Sequence, residues 1–300
     1  MHWYPSRCGA LLACGLALLS PMALASVADA AARKAEVVYP PAPPYADVAD
    51  LVIKSPLIIK ATVQSARRIK AQDAPGLDPA KARFLVSAKT EAVLTNSNGT
   101  TPPQIEYLID LPLDAKGRAP KIGKRQVMLF TRPVPGRPNQ VQLTDDHGEL
   151  GWSPALSDLA KQIALEVRNP TAPPVITGIG NAFHVPGSLP GEGETQIFLT
   201  TADGRPVSFT VLRRPGEATR WAVALSEIVD DAAAPPPRNT LLWYRLACFL
   251  PRDLPVRSVA AESEDNAAAA RDDYRFVMDN LGNCGRTLGI TPASPSATAR

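Results

Sequence analysis

The sequence is poor in side chains that do chemistry. It has three histidines, four cysteines and four methionines in 300 residues, and no lysine beyond Lys161. No H-E-x-x-H motif occurs, which removes the commonest helical zinc hydrolase site. No Gly-Lys-Ser/Thr occurs either, so there is no phosphate loop, and no D-x-D-x-D-G loop for calcium. Charge of one sign is also missing: the formal net charge is +3. A chain this near neutrality has no field with which to displace counterions, so nucleic acid is not expected as a partner. Apolar runs long enough to span a bilayer are absent, the longest being Cys8 to Leu19.

That run is informative in itself. Arg7 precedes it, Ser20-Pro21 breaks it, and Ala23-Leu-Ala25 follows. This is the order of a secretory signal peptide cleaved after Ala25, with Ala28-Asp-Ala30 as a second site. A lipoprotein signal acylated at Cys14 is the rival reading. The mature chain is then expected in the periplasm or outside the cell. Its two remaining cysteines, Cys248 and Cys284, are expected to pair in that oxidising compartment.

Prolines, 31 in all, punctuate the chain into segments. We expect a signal peptide over 1–25, a Pro-rich leader over 26–45, a β domain over 46–168, a linker over 169–177, an α+β domain over 178–290 and a disordered tail over 291–300. Charge supports a break between the halves. Residues 26–168 hold 19 basic and 15 acidic side chains, residues 169–300 hold 12 and 14, and only the first half uses lysine.

Alternating apolar residues mark strands at 57–70 (Ile59, Ala61, Val63), 82–94 (Phe84, Val86, Ala88) and 104–111 (Ile105, Tyr107, Ile109). Residues 125–132 read as a strand buried on both faces, and 140–143 as a short one. Ser153 and Pro154 open a helix whose apolar stripe is Leu156, Leu159, Ile163 and Val167, stopped by Asn169-Pro170. Five strands and a closing helix suggest an OB-like barrel. In the second half, 195–201, 206–213 and 220–229 form a meander. A buried helix follows over 240–250, then one capped by Ser263 and ended by Gly282. The fold class is therefore α+β.

Two resemblances follow. Ala49-Asp-Leu-Val52 and Gly123-Lys-Arg-Gln-Val127 resemble the opening and a strand of netrin-like and tissue-inhibitor-of-metalloproteinase-like OB domains. The likeness covers about 47–167 and implies the fold. Those inhibitors act through an N-terminal cysteine, and this stretch has none, so it does not imply inhibition. The second half, through Gly178 to Thr195, Leu242 to Pro251 and Asp273-Tyr-Arg-Phe276, resembles a group of uncharacterised exported alphaproteobacterial proteins. That resemblance carries no activity with it.

Candidate chemistry concentrates in 178–194, which reads as a long glycine-rich loop between regular elements. Gly178-Ile-Gly180 lacks the third glycine of a dinucleotide fingerprint, Phe183 standing in its place. Ser188 with His184 as base is the candidate catalytic pair, although neither G-x-S-x-G nor S-x-x-K surrounds it. The plainer reading has Ser188 capping a turn and His184 packing at the loop base. His184, Glu192 and Glu194, with Asp203, are the candidate ligand-binding set; no metal or cofactor is assigned. Asp145-Asp-His147 reads as a solvated turn. Lys116 to Arg125 holds five cations and no acid and is the candidate contact with an anionic surface. Asn98-Gly-Thr100 matches a glycosylation sequon. Together these readings favour a non-enzymatic binding or interaction module with an unidentified protein or envelope partner. The alternatives are an exported hydrolase using the 178–194 segment and a cell-envelope structural factor.

Overall fold

A computed structural model describes residues 41–96, 99–226 and 234–290. The signal peptide, Cys14, most of the leader, Asn98, the end of the 220–229 strand and the 291–300 tail lie outside these residues. The described residues belong to one compact unit.

Helix α1 (Tyr45–Lys54) comes first, followed by strands β1 (Leu57–Arg68), β2 (Lys81–Asn96), β3 (Gln104–Pro112), β4 (Gln126–Val134), β5 (Arg137–Leu143) and β6 (Glu149–Gly151). The strands run in the order β1-β2-β3-β5-β4, and β4 pairs back onto β1, so the sheet closes into a five-stranded OB-like barrel with β6 appended to β4. Closure needs a strand that bends. Three register shifts along β1 and β2, between Ile58/Ile59, Lys60/Ala61 and Val63/Ser65, supply the bend, as bulges do at barrel corners.

The alternation read from the sequence determines the two faces. Ile59, Ala61, Val63, Val86, Ile105, Tyr107, Val127 and Leu129 fill the barrel interior. Ile58, Met128 and Phe130 point the other way, into a second core shared with the helices. Strand β4 is thus buried on both faces, as its continuous apolar run requires. Inside the barrel, the Tyr107 hydroxyl donates to Glu149 (2.6 Å), which also pairs with Arg125. Burial, reinforced by the Glu149 charge, holds this phenol protonated far above its ordinary range.

Helix α2 (Pro154–Arg168) begins where expected, with Ser153 Oγ accepting from the Leu156 amide at 3.2 Å. Strands β7 (Ile176–Pro186), β8 (Gly193–Thr201), β9 (Val207–Arg213) and β10 (Arg220–Ala224) form a separate four-stranded antiparallel meander. Helix α3 (Leu241–Ala247) is capped by Thr240, and α4 (Glu264–Leu281) by Ser263. The apolar stripe of α4, Ala270, Tyr274, Val277 and Leu281, joins the core built on this sheet. Cys248 and Cys284 form a disulfide, Cα–Cα 4.9 Å, tying the end of α3 to the segment after α4.

The expectation of a barrel closed by one helix requires an addition. Helix α1 is buried from Tyr45 through Val52 and packs with α2, α3 and the second sheet in a single core. Its two carboxylates are fully buried and find partners at the far end of the chain. Asp50 accepts from Arg286 Nε at 2.6 Å and from the Tyr244 hydroxyl at 2.6 Å. Asp47 accepts from the Thr287 amide at 3.0 Å and the Thr287 hydroxyl at 2.7 Å. The Ala49-Asp50 opening singled out in the sequence therefore anchors the C-terminal segment. Burial works against the Arg286 charge, but the hydrogen bond and charge of Asp50 outweigh it and raise its pKa.

Candidate functional site

The segment 178–194 is not the long loop expected from its glycines. Most of it is strand: β7 runs to Pro186 and β8 starts at Gly193, leaving a turn of six residues, 187–192. Four of its five glycines serve close packing instead, and Gly191 supplies the positive φ (+80°) of the turn. Register shifts between Ile176/Gly178 and Ile179/Ala182 mark bulges, and a Cβ on Gly178 would lie 3.1 Å from Thr200 Oγ1. At the turn, Glu192 curls back and accepts from the amides of Ser188 (3.1 Å) and Leu189 (3.2 Å). A Cβ on Gly187 would collide with Glu192 Cγ at 2.3 Å, so this glycine makes room for the carboxylate.

The candidate residues accordingly separate. Ser188 is exposed on the turn, and no hydrogen bond joins it to His184. Glu194 accepts from the Gln196 side chain at 2.9 Å. Asp203 accepts from its neighbour Arg205 at 2.8 Å. Glu192, Glu194 and Asp203 are each occupied locally. No group of three or more His, Cys, Asp or Glu side chains capable of holding a metal occurs among the described residues.

His184 has partners that sequence inspection did not find. Its Nδ1 lies 2.8 Å from Thr195 Oγ1, whose hydroxyl donates to Asp273 Oδ2 at 2.5 Å. Asp273 Oδ1 accepts from Arg213 Nε. Because the Thr195 proton goes to Asp273, Thr195 accepts from His184, which places the ring proton on Nδ1. The other edge of the ring lies on Gly193, where an added Cβ would meet Cε1 at 2.6 Å. Thr195 and Asp273 are fully buried. The row therefore clamps β7, β8, β9 and α4 together, with the Thr195 oxygen inaccessible as a nucleophile. One signal pointed to Asp273: a carboxylate three residues after Ala270 and four before Val277 sits on the buried stripe of α4. An open cleft of about 460 Å³ lies beside the clamp, lined by Phe183, Val185, Glu192, Leu212 and Arg213.

A larger concavity opens in the barrel wall. Strands β3 and β5 are parallel and joined at a single residue pair, Glu106 and Gln140, while every other neighbouring pair in the ring shares a longer ladder. A groove of about 700 Å³ follows this seam and reaches Tyr107 and Ile109. Its acids are largely neutralised. Arg83 pairs with Asp110 through two hydrogen bonds of 2.7 Å, Lys54 with Asp145 at 3.1 Å, and Lys81 with Asp146 at 3.2 Å. Among the described residues, Arg132 and Arg137 form no ion pair and donate to the amide oxygens of Gln142 and Gln140, both at 3.1 Å, while Glu106 on the same seam accepts from Gln140 at 3.5 Å and has no cationic partner. Leu108 projects from the same wall, 49% exposed. Of Asp145-Asp-His147, read as a solvated turn, Asp145 and Asp146 line this groove; Asp146 is exposed, whereas Asp145 is mostly buried against Lys54.

The basic stretch 116–125 connects β3 to β4. Arg118 pairs with Asp114 and Arg125 with Glu149, whereas Lys116, Lys121 and Lys124 are exposed and form no ion pair among the described residues. The architecture thus defines a class, an OB-like barrel packed on an α+β sheet-and-helix unit. Comparison with protein-family models, curated proteins and solved structures returns no match that would place the chain in a family.

Proposed function

We propose that the chain is an exported, non-enzymatic binding protein whose principal site is the barrel seam between β3 and β5, and that the occupant is an extended acidic polypeptide segment. The observation that carries this reading is the seam itself: one residue pair joins the two strands where a 700 Å³ groove runs along them. An added strand gains main-chain hydrogen bonds from such edges, and side-chain pockets select its sequence. Arg132 and Arg137 form no ion pair among the described residues and outnumber the unpaired Glu106, which favours a negatively charged occupant, and Leu108 offers an apolar contact. Export is supported by the residue order of 1–25 and by the Cys248–Cys284 disulfide, which persists in oxidising compartments. The hydrolase alternative draws no support from the hairpin, because His184 is engaged by Thr195 and Ser188 stands apart from it.

Selection of random linear peptides on the chain from Ser26 tests the proposal. Enriched peptides should be acidic, and Arg132→Glu with Arg137→Glu should weaken them at least tenfold, with Leu108→Asp weakening them as well. Enrichment of basic peptides, no enrichment, or indifference to these substitutions would overturn it. Mass spectrometry of the secreted product should show Ser26 at the amino terminus; an intact Met1 would remove the export reading.

A further inference from the structure

Arg245 lies in the last turn of α3, half-buried, and makes no hydrogen bond and no ion pair among the described residues. It lines a cavity of about 380 Å³ together with the apolar Ile53, Val167, Pro173, Ile176 and Phe249, and with Asp203 and Arg205. A guanidinium cannot discard its proton at any ordinary pH, so it remains a cation where water is scarce. Burial depresses its pKa; Tyr244 and Asp203 oppose that depression and the nearby Arg205 charge adds to it. Asp203 is itself bound by Arg205, which donates to it from Nε at 2.8 Å and from its backbone amide at 3.2 Å. The charged groups on the cavity wall are therefore Arg245, Arg205 and Asp203, one positive charge in excess beside an apolar surface. Arg205 has its carboxylate partner, whereas Arg245 makes no ion pair of its own among the described residues.

We infer that this cavity is a binding site for a small amphiphilic monocarboxylate, with the carboxylate on Arg245 and the apolar body against Ile53, Val167 and Phe249. The volume admits roughly a dozen water-sized groups, the scale of a medium-chain fatty acid or an aromatic acid. The single net charge selects a monoanion, and the planar guanidinium matches a carboxylate through two parallel hydrogen bonds. The site is separate from the barrel seam, and neither reading depends on the other.

Calorimetric titration of the full mature chain with octanoate, benzoate, octanol and octyl phosphate tests the inference. Octanoate or benzoate should bind while octanol does not, and the preference between the two acids tells whether the body is alkyl or aryl. Arg245→Met, close in length and uncharged, should lose at least tenfold in carboxylate affinity while its unfolding temperature stays level or rises. Equal binding of octanol, tighter binding of octyl phosphate, no binding of either acid, or unchanged affinity in Arg245→Met would each overturn it. The octanoate–octanol comparison uses the wild-type chain, so it decides the matter even if the variant does not fold.

Discussion

Reducing the Cys248–Cys284 disulfide offers the most quantitative test of how this molecule is held together. The two cysteines are 36 residues apart in sequence, and closing a loop of that length in the unfolded chain contributes about 4 kcal/mol by chain-entropy arguments. In a chain of this size each kcal/mol shifts the unfolding midpoint by about 2–4 °C, so reduction should lower it by roughly 8–15 °C. A local effect accompanies the global one. Arg286 donates to the Cys248 carbonyl at 3.3 Å and to Asp50, and the next two amides, Thr287 and Leu288, donate to Asp47. Freeing Cys284 loosens this whole segment, so the Thr287 and Leu288 amides should exchange faster in reduced protein, well before barrel amides such as Leu129. Thermal melts with and without reductant, a Cys248→Ser/Cys284→Ser variant, and hydrogen exchange supply the readouts. A midpoint that moves by less than about 2 °C, or thiols that alkylate without reductant, would refute the reasoning.

Other expectations follow from buried partners. Asp50→Ala strands the Arg286 guanidinium and the Tyr244 hydroxyl in the core and should cost about 3–5 kcal/mol in denaturant melts. Asp273→Ala should cost less, about 1–3 kcal/mol, because it strips the buried Thr195 hydroxyl of its acceptor while Arg213 can still reach water; His184→Ala, which removes one hydrogen bond, should cost about 1 kcal/mol. Gly282→Ala should destabilise by about 1–2 kcal/mol, because φ is +72° there and a Cβ would meet Arg238 Nη1 at 2.7 Å. The Arg83 hydrogen bond holds the Asp110 carboxyl below its ordinary range against a smaller opposing effect of burial. Its stabilisation is therefore complete above the usual carboxylate pKa and lost as pH falls through the depressed one. Both partners are partly exposed, so the contribution is at most about 1 kcal/mol, and Arg83→Gln should flatten the acid limb of a stability–pH curve by that amount.

The elements legible in the sequence were those specified by neighbours in the chain. The alternation from Leu57 to Val63 and from Ile105 to Ile109 encodes barrel strands because one face must be dry. Ser153-Pro154 and Ser263 mark helix starts because a cap is a local hydrogen bond. Helix α1 was not legible. Pro44 offers no side-chain cap, and two acids in ten residues argue against burial until the partners of Asp47 and Asp50 arrive from Tyr244 and residues 286–288. The segment 178–194 misled for a related reason: apart from Gly191, which a positive φ requires at the turn, its glycines answer to Thr200, Phe198, His184 and Glu192. In the candidate sites, His184 stood out by type, whereas Thr195, Asp273 and Arg213 belong to its surroundings only once three strands and a helix are assembled. Arg245 was hidden among apolar neighbours because its distinguishing property is a missing partner, which no motif records.

The pairing of α1 with residues 286–288 gives the molecule an order of assembly. A chain made from its amino end can complete the barrel ring once Gly151 has emerged, since that core is drawn entirely from residues 57–143 with close neighbours. The second core cannot finish then, because Asp50 must wait for Tyr244 and Arg286, and Asp47 for Thr287 and Leu288. The latch for α1 is thus synthesised about 240 residues after the helix it holds, and a chain cut short before Arg286 would carry a finished barrel beside an unsealed core.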